Sequence, residues 1–234
     1  FQNPKPTRLI ERVLQLATKP NSNDIVLDFF AGSATTGHAL LESNLENKLN
    51  NTFILVQIPQ TINEKTLAYK EGYRVISELS AERLRRVIEK NNLNEGFRFL
   101  KVDSSNMTSS HYTPGETSQE DMFAQIENIK EGRTDEDLLF QVLLDWGVGL
   151  TLPITQQKIE AKDVFFVNVD DEGENADLIA CFGKDISNEL IKTLAEKQPL
   201  RVVFRDDGFV NDSVKINVEQ IFKQISPMTD VKSI

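Results

Sequence analysis

The segment from Ile25 to Glu42, IVLDFFAGSATTGHALLE, changes its apolar pattern within a few residues, and that change restricts the fold more than any other feature of the chain. IVLDFF (Ile25 to Phe30) is a continuous apolar run of the length expected for a strand buried on both faces. AGSATTGHALLE then turns to small residues and helical composition. A strand, a small-residue turn and a helix in that order predict the start of an α/β unit.

The pattern repeats on either side. Thr7 to Ala17 carries Leu9, Ile10, Val13, Leu14 and Ala17 at helical spacing, and Pro20 ends it. FILVQI (Phe53 to Ile58) predicts a second buried strand, Val75 to Ile88 a helix, and FRFLKV (Phe97 to Val102) a third strand. Alternation of helices and strands predicts a parallel sheet covered by helices on both faces.

From Asp103 to Glu120 the composition shifts to Ser, Thr, Asn, Pro and Gly, which predicts a linker or long surface loop. Beyond it, Met122 to Ile129 and Leu138 to Trp146 read as helices, the second led by Thr134 and Asp137 as a capping pair. VFFVNV (Val164 to Val169), LIACF (Leu178 to Phe182) and LRVVFR (Leu200 to Arg205) read as strands, with a hairpin between the first two; helices fit Asn188 to Lys197 and Ser213 to Gln224. The expected division is residues 1–105, a linker and helix over 106–133, and a smaller α/β domain over 134–234.

Composition narrows the function classes. A charged content of 26% and a hydrophobic content of 39% are ordinary for a soluble domain, and no apolar run approaches the ~20 residues of a membrane-spanning helix. A soluble cytoplasmic protein without a membrane partner is the expectation. The net charge of -10 weighs against this segment gripping DNA phosphates by itself. Cys181, alone and inside LIACF, predicts a buried hydrophobe, and no cluster suggests a metal site. His38 and His111 lack a partner pattern for general-base work, and Arg83, Arg85 and Arg86 read as a solvated basic face.

At the carboxyl end of a strand in an open α/β sheet, small residues let the backbone approach a ligand, and the next helix offers free N–H groups. A nucleotide-like cofactor belongs at such a loop. The G-x-G-x-x-G spacing of a dinucleotide fold fails, because Ala34 stands between Gly32 and Gly37.

The stretch NPKPTRLIERVL followed about a dozen residues later by LDFFAGSATTGHA resembles the β-group of amino-methyltransferases acting on DNA adenine N6 or cytosine N4. FILVQIPQ, EGYRVISELSAERLRRVIEK, GFRFLKVDSSN, DLLFQVLLDWGVGLTLPI and VVFRDDGFVNDSVKINVEQIFKQ look like the modification subunits of type III restriction-modification systems. The resemblance implies a partial Rossmann-like S-adenosylmethionine-dependent methyltransferase domain followed by a smaller α/β C-terminal domain. It implies S-adenosyl-L-methionine as cofactor, held by Asn3, Lys5, Pro6, Asp28, Phe30, Ala31, Gly32, Ser33 and Thr35, with Gln57 where a ribose-binding carboxylate often stands.

The family's Asp/Asn/Ser-Pro-Pro-aromatic tetrapeptide, which holds the flipped target amine, has no counterpart here, since none of the eight prolines are adjacent. In the β-group that segment precedes the cofactor segment. A C-terminal fragment of a longer subunit is therefore expected, inactive alone, with DNA contacted through the missing upstream region. Homodimerisation and docking of the restriction subunit are the implied partnerships, and a non-catalytic assembly module is the alternative reading.

Overall fold

The computed structural model describes residues 4–19, 22–108, 128–170 and 175–234, which divide into one unit up to Lys101 and a second from Val102 to Ile234. Both units are mixed α/β. Asn3, His111, the helix expected over Met122 to Ile129 except its last two residues, and most of the loop between the hairpin strands lie outside the described residues.

In the first unit, α1 (Thr7–Ala17) starts at Pro6, whose extended ψ of 131° and fixed φ suit a helix entry. Then come β1 (Ile25–Asp28), α2 (Thr35–Asn47), β2 (Thr52–Leu55), α3 (Leu67–Lys70) and α4 (Ile76–Lys90). β1 and β2 pair in parallel, Ile25 beside Thr52 and Asp28 beside Leu55, with α2 as the crossover. Glu78 secures the start of α4 by accepting from the N–H groups of Arg74 (2.8 Å) and Val75 (3.3 Å), and these two bonds hold its carboxyl below the usual range. Asn44 and Asn51, both buried, exchange bonds of 2.8 and 3.3 Å, and Asn51 also accepts from Asp24 N–H at 2.9 Å. That pair ties the end of α2 to the starts of both strands.

The two-stranded sheet is covered on one face. Val26, Phe53 and Leu55 pack against Leu14, Leu40, Leu41, Leu84 and Val87 of the helices. The other face shows Ile25 at 66%, Leu27 at 47% and Ile54 at 51% exposure. The expectation of a strand buried on both faces is thus corrected: among the described residues only one helical layer exists to cover it. A second correction concerns Phe97 to Val102, which joins no strand and leaves Phe99, Leu100 and Val102 exposed, so its apolar run is not buried in a sheet. The expected strand ends also shorten, because Phe29 and Phe30 form a turn and Val56 to Ile58 lie beyond the ladder.

The second unit holds α5 (Asp135–Asp145), β3 (Ile154–Ile159), β4 (Lys162–Val169), β5 (Ala176–Cys181), α6 (Asn188–Ala195), β6 (Arg201–Phe204), a short 3-10 turn, α7 (Asp212–Ile225) and β7 (Asp230–Ser233). The sheet order is β3-β4-β5-β6-β7, antiparallel through β5 and parallel from β5 to β7. α6 and α7 cover one face, packing Leu190, Ile191, Val218 and Phe222 on Ile179, Val202 and Phe204. α5 covers the other, setting Leu138, Leu139, Val142 and Leu143 on Val167, Leu178 and Val203. Each such side chain contributes about 1.5–3 kcal/mol when fully buried, so the continuous apolar runs of β5 and β6 belong in the middle of this sandwich. Cys181 is buried there, which pushes its thiol pKa up. β3 and β7 are edge strands with mostly polar sequences, ITQQKI and DVKS. Residues before α5 also dock on it: the Asn106 side-chain amide donates to the carbonyl of Asp137 at 2.8 Å, and the Asn106 backbone N–H donates to Gln141 Oε1 at 2.9 Å.

Candidate functional site

The site is the loop between β1 and α2 together with what holds it. Asp28 ends β1, and its carboxylate accepts from Phe30 N–H (3.1 Å) and from the Thr36 hydroxyl (2.6 Å). One side chain therefore closes the turn and ties it to the first turn of α2. Ala31 N–H donates to Val56 O at 3.1 Å, and Val56 N–H donates to Asp28 O at 2.8 Å, so the loop continues the sheet's hydrogen bonding past the end of β1. Gly32, at φ 54°, gives its N–H to Gln57 Oε1 at 2.7 Å. A positive φ is easy for glycine. Ala34 adopts φ 57° as well, at the entry of α2, with its methyl group fully buried among Leu41, Leu84 and Val87.

Ser33 and Thr35 are buried, and their hydroxyls face inward. Arg83 of α4 donates from Nη1 to Ser33 O (3.1 Å), Ser33 Oγ (3.0 Å) and Thr35 Oγ1 (2.9 Å), and from Nε to His38 Nδ1 (3.0 Å). With Nδ1 accepting, the neutral ring carries its proton on Nε2, which lies 3.1 Å from Glu42 Oε1. Burial lowers the basicity of the guanidinium, and Glu42 acts in the opposite sense. The expectation of a solvated face holds for Arg85 and Arg86, which are exposed and pair with Glu82. It fails for Arg83 because the tight packing of α4 on α2 turns that side chain onto the loop. The close approach depends on Gly37, where an added Cβ would stand 2.9 Å from Leu55 Cδ1 and 3.0 Å from Leu84 Cδ2.

On its outer side the loop presents Phe30, 82% exposed, while Lys5 and Pro6 are exposed at the start of α1. Pro4 comes to a cavity of about 410 Å³ that Ser33, His38, Glu42 and Arg83 also line. Asp28, Phe30, Ala31, Gly32, Ser33, Thr35 and Gln57 are thus one connected group, whereas Lys5 and Pro6 join it only through the neighbouring Pro4. Arg83, His38 and Ser80, whose hydroxyl lies 2.5 Å from Gly32 O, were not legible as members of the site. Among the described residues no group of three or more His, Cys, Asp or Glu could hold a metal ion. No described helix is long and apolar enough to cross a membrane.

Residues 1–71, which span α1, β1, the loop, α2 and β2, match the family model described as DNA methylase. The Mod subunit of the type III restriction-modification enzyme StyLTI from Salmonella typhimurium is 38% identical over 125 residues, 52% of this chain and 18% of that protein. The EcoP15I Mod subunit from Escherichia coli is 38% identical over 120 residues, 48% of this chain and 18% of that protein. Over about half of its length this chain is similar to type III Mod subunits. A more distant similarity reaches the type II methyltransferase M.KpnI from Klebsiella pneumoniae, 36% identical over 84 residues, 36% of this chain and 20% of that protein. The match thus spans about a fifth of the length of each relative.

Proposed function

We propose that the first unit is the S-adenosyl-L-methionine-binding part of a DNA adenine-N6 methyltransferase, a partial Rossmann-like domain that acts as one piece of a type III modification subunit. The observation that carries this reading is the strand-tip loop inside the matched segment, where Asp28, Gly32 and Gln57 hold the backbone open and Phe30 stands exposed beside it. A cofactor with an adenine ring and a charged amino-acid end fits a loop with an exposed aromatic on one side and helix N–H groups on the other. The chemistry that the cofactor supplies is an electrophilic methyl group. What this chain's residues do is bind and orient it: Ala31 and Gly32 let the backbone approach, Ser33 and Thr35 set the loop's shape, and Lys5 and Pro6 flank it from the start of α1.

Transfer to the target amine, contact with DNA and pairing with a restriction subunit belong to the whole subunit in this reading, and the isolated chain methylates no DNA. Crosslinking by ultraviolet light with methyl-labelled S-adenosylmethionine, followed by peptide mapping, tests the site. Label confined to the peptide around Phe30 supports it; label elsewhere, or none, contradicts it.

A second reading, an assembly surface, has its own observation. Ile25, Leu27 and Ile54 form an exposed apolar sheet face, and such faces mark association sites. A homodimer built on that face is the corresponding proposal.

A further inference from the structure

We infer that Arg83 is a positioning residue, one that holds the Gly32–Thr35 loop in the shape that accepts the cofactor; the inference rests on the cofactor reading above. The reasons lie in what the guanidinium touches. Its Nη1 reaches three oxygens of the loop, and its Nε is fixed by His38, whose other nitrogen is fixed by Glu42. The chain Glu42–His38–Arg83 therefore runs from the third turn of α2 back to the loop that precedes that same helix.

A cation here is a poor choice for stability alone. It is partly withdrawn from water, and it sits beside the N-terminal end of α2, where the helix already gathers partial positive charge. Ser80 gives the loop a second tie from α4 through Gly32 O, so α4 grips the loop at both ends. What the guanidinium adds is orientation: with the Ser33 and Thr35 hydroxyls drawn inward, the outward surface of the loop is backbone and Phe30. A planar fork with donors in fixed directions can hold the loop and His38 at once, and an ammonium cannot.

The test is calorimetric titration of the 234-residue chain with S-adenosylhomocysteine, beside hydrogen exchange over residues 30–36 and thermal melting, for the parent, Arg83→Met, Arg83→Lys and Thr35→Val. Loss of this charge-assisted set should weaken binding by about tenfold in Arg83→Met, with faster exchange in the loop and a melting temperature no lower than the parent's. Arg83→Lys should recover part of the affinity. Combining Arg83→Met with Thr35→Val should weaken binding little more than Arg83→Met alone, since the bond from Nη1 to Thr35 Oγ1 is already lost in the first change. If Arg83→Met does not fold, His38→Ala carries the test by freeing Nε, and it must weaken binding in the same direction. Parent-like binding by Arg83→Met, or a loss that only tracks falling melting temperature, overturns the role while leaving the cofactor reading intact. No saturable binding by the parent ends the cofactor reading and this role together.

Discussion

Gly32 and Gln57 are 25 residues apart, yet the glycine N–H donates to the Gln57 side-chain oxygen at 2.7 Å. The side-chain amide of Gln57 is therefore engaged with the loop itself. Gln57→Ala should free that N–H and cost about 0.5–1.5 kcal/mol of stability in the first unit. Denaturant melts combined with amide exchange at Gly32 measure both effects. Unchanged exchange at Gly32 would show that this bond does not hold the loop.

Gly37→Val is expected to be severe. Its Cβ would meet Leu55 and Leu84 at about 3 Å, and over-packing of this kind typically costs about 1–3 kcal/mol. The loss should appear in the melting of the first unit, with the second unit's near-ultraviolet signal from Trp146 unaltered.

Ala34→Gly sets two effects against each other. The left-handed φ of 57° costs a non-glycine residue roughly 1–2 kcal/mol, whereas removing a fully buried methyl group loses about 0.8 kcal/mol and frees the unfolded chain. The net change should stay within about 1 kcal/mol of the parent. A larger loss would show that the methyl contact, and not the backbone, decides this position.

In the second unit Thr134 accepts from Asp137 N–H at 3.2 Å while Asp137 accepts from Thr134 N–H at 2.8 Å. The bond from the Thr134 backbone and then that from its hydroxyl hold the Asp137 carboxyl below its usual range. A depressed folded-state value means stability that is present above the unfolded value and lost as pH falls through the folded one. Thr134→Ala should cost about 1 kcal/mol near neutral pH, and Asp137→Asn should matter less as pH falls below the ordinary Asp range. A penalty independent of pH would contradict this account of the cap.

The exposed sheet face yields a solution prediction. Leu27→Ser with Ile54→Ser should reduce self-association in light scattering and leave the melting temperature nearly unchanged, since both side chains are about half exposed. Self-association that persists in the double variant would place it on another surface.

How much of this was legible in the sequence varies with the physics of each segment. The runs at Val164, Leu178 and Leu200 announced central strands because both faces of that sheet are covered, and the Thr134–Asp137 spacing announced a helix start. ITQQKI and DVKS carry no apolar signal because edge strands bury little, so β3 and β7 were invisible. FRFLKV shows the reverse, a strand-like run that forms no strand in the structure. At the site, Asp28 and Gly32 could be read from their place at a strand tip. Arg83 could not, because the contact that matters is between residues 48 and 50 positions apart, and one arginine among three looks like a solvated face until the packing of α4 on α2 is known.

The central claim is that the loop from Asp28 to Thr35 holds S-adenosylmethionine, and equilibrium titration with S-adenosylhomocysteine tests it most directly. The parent chain should bind with one saturable site, and Gly32→Val, which forces a branched residue into φ 54° at the point of closest backbone approach, should abolish that binding while the second unit stays folded. Absence of binding by the parent, or equal binding by Gly32→Val, would contradict it.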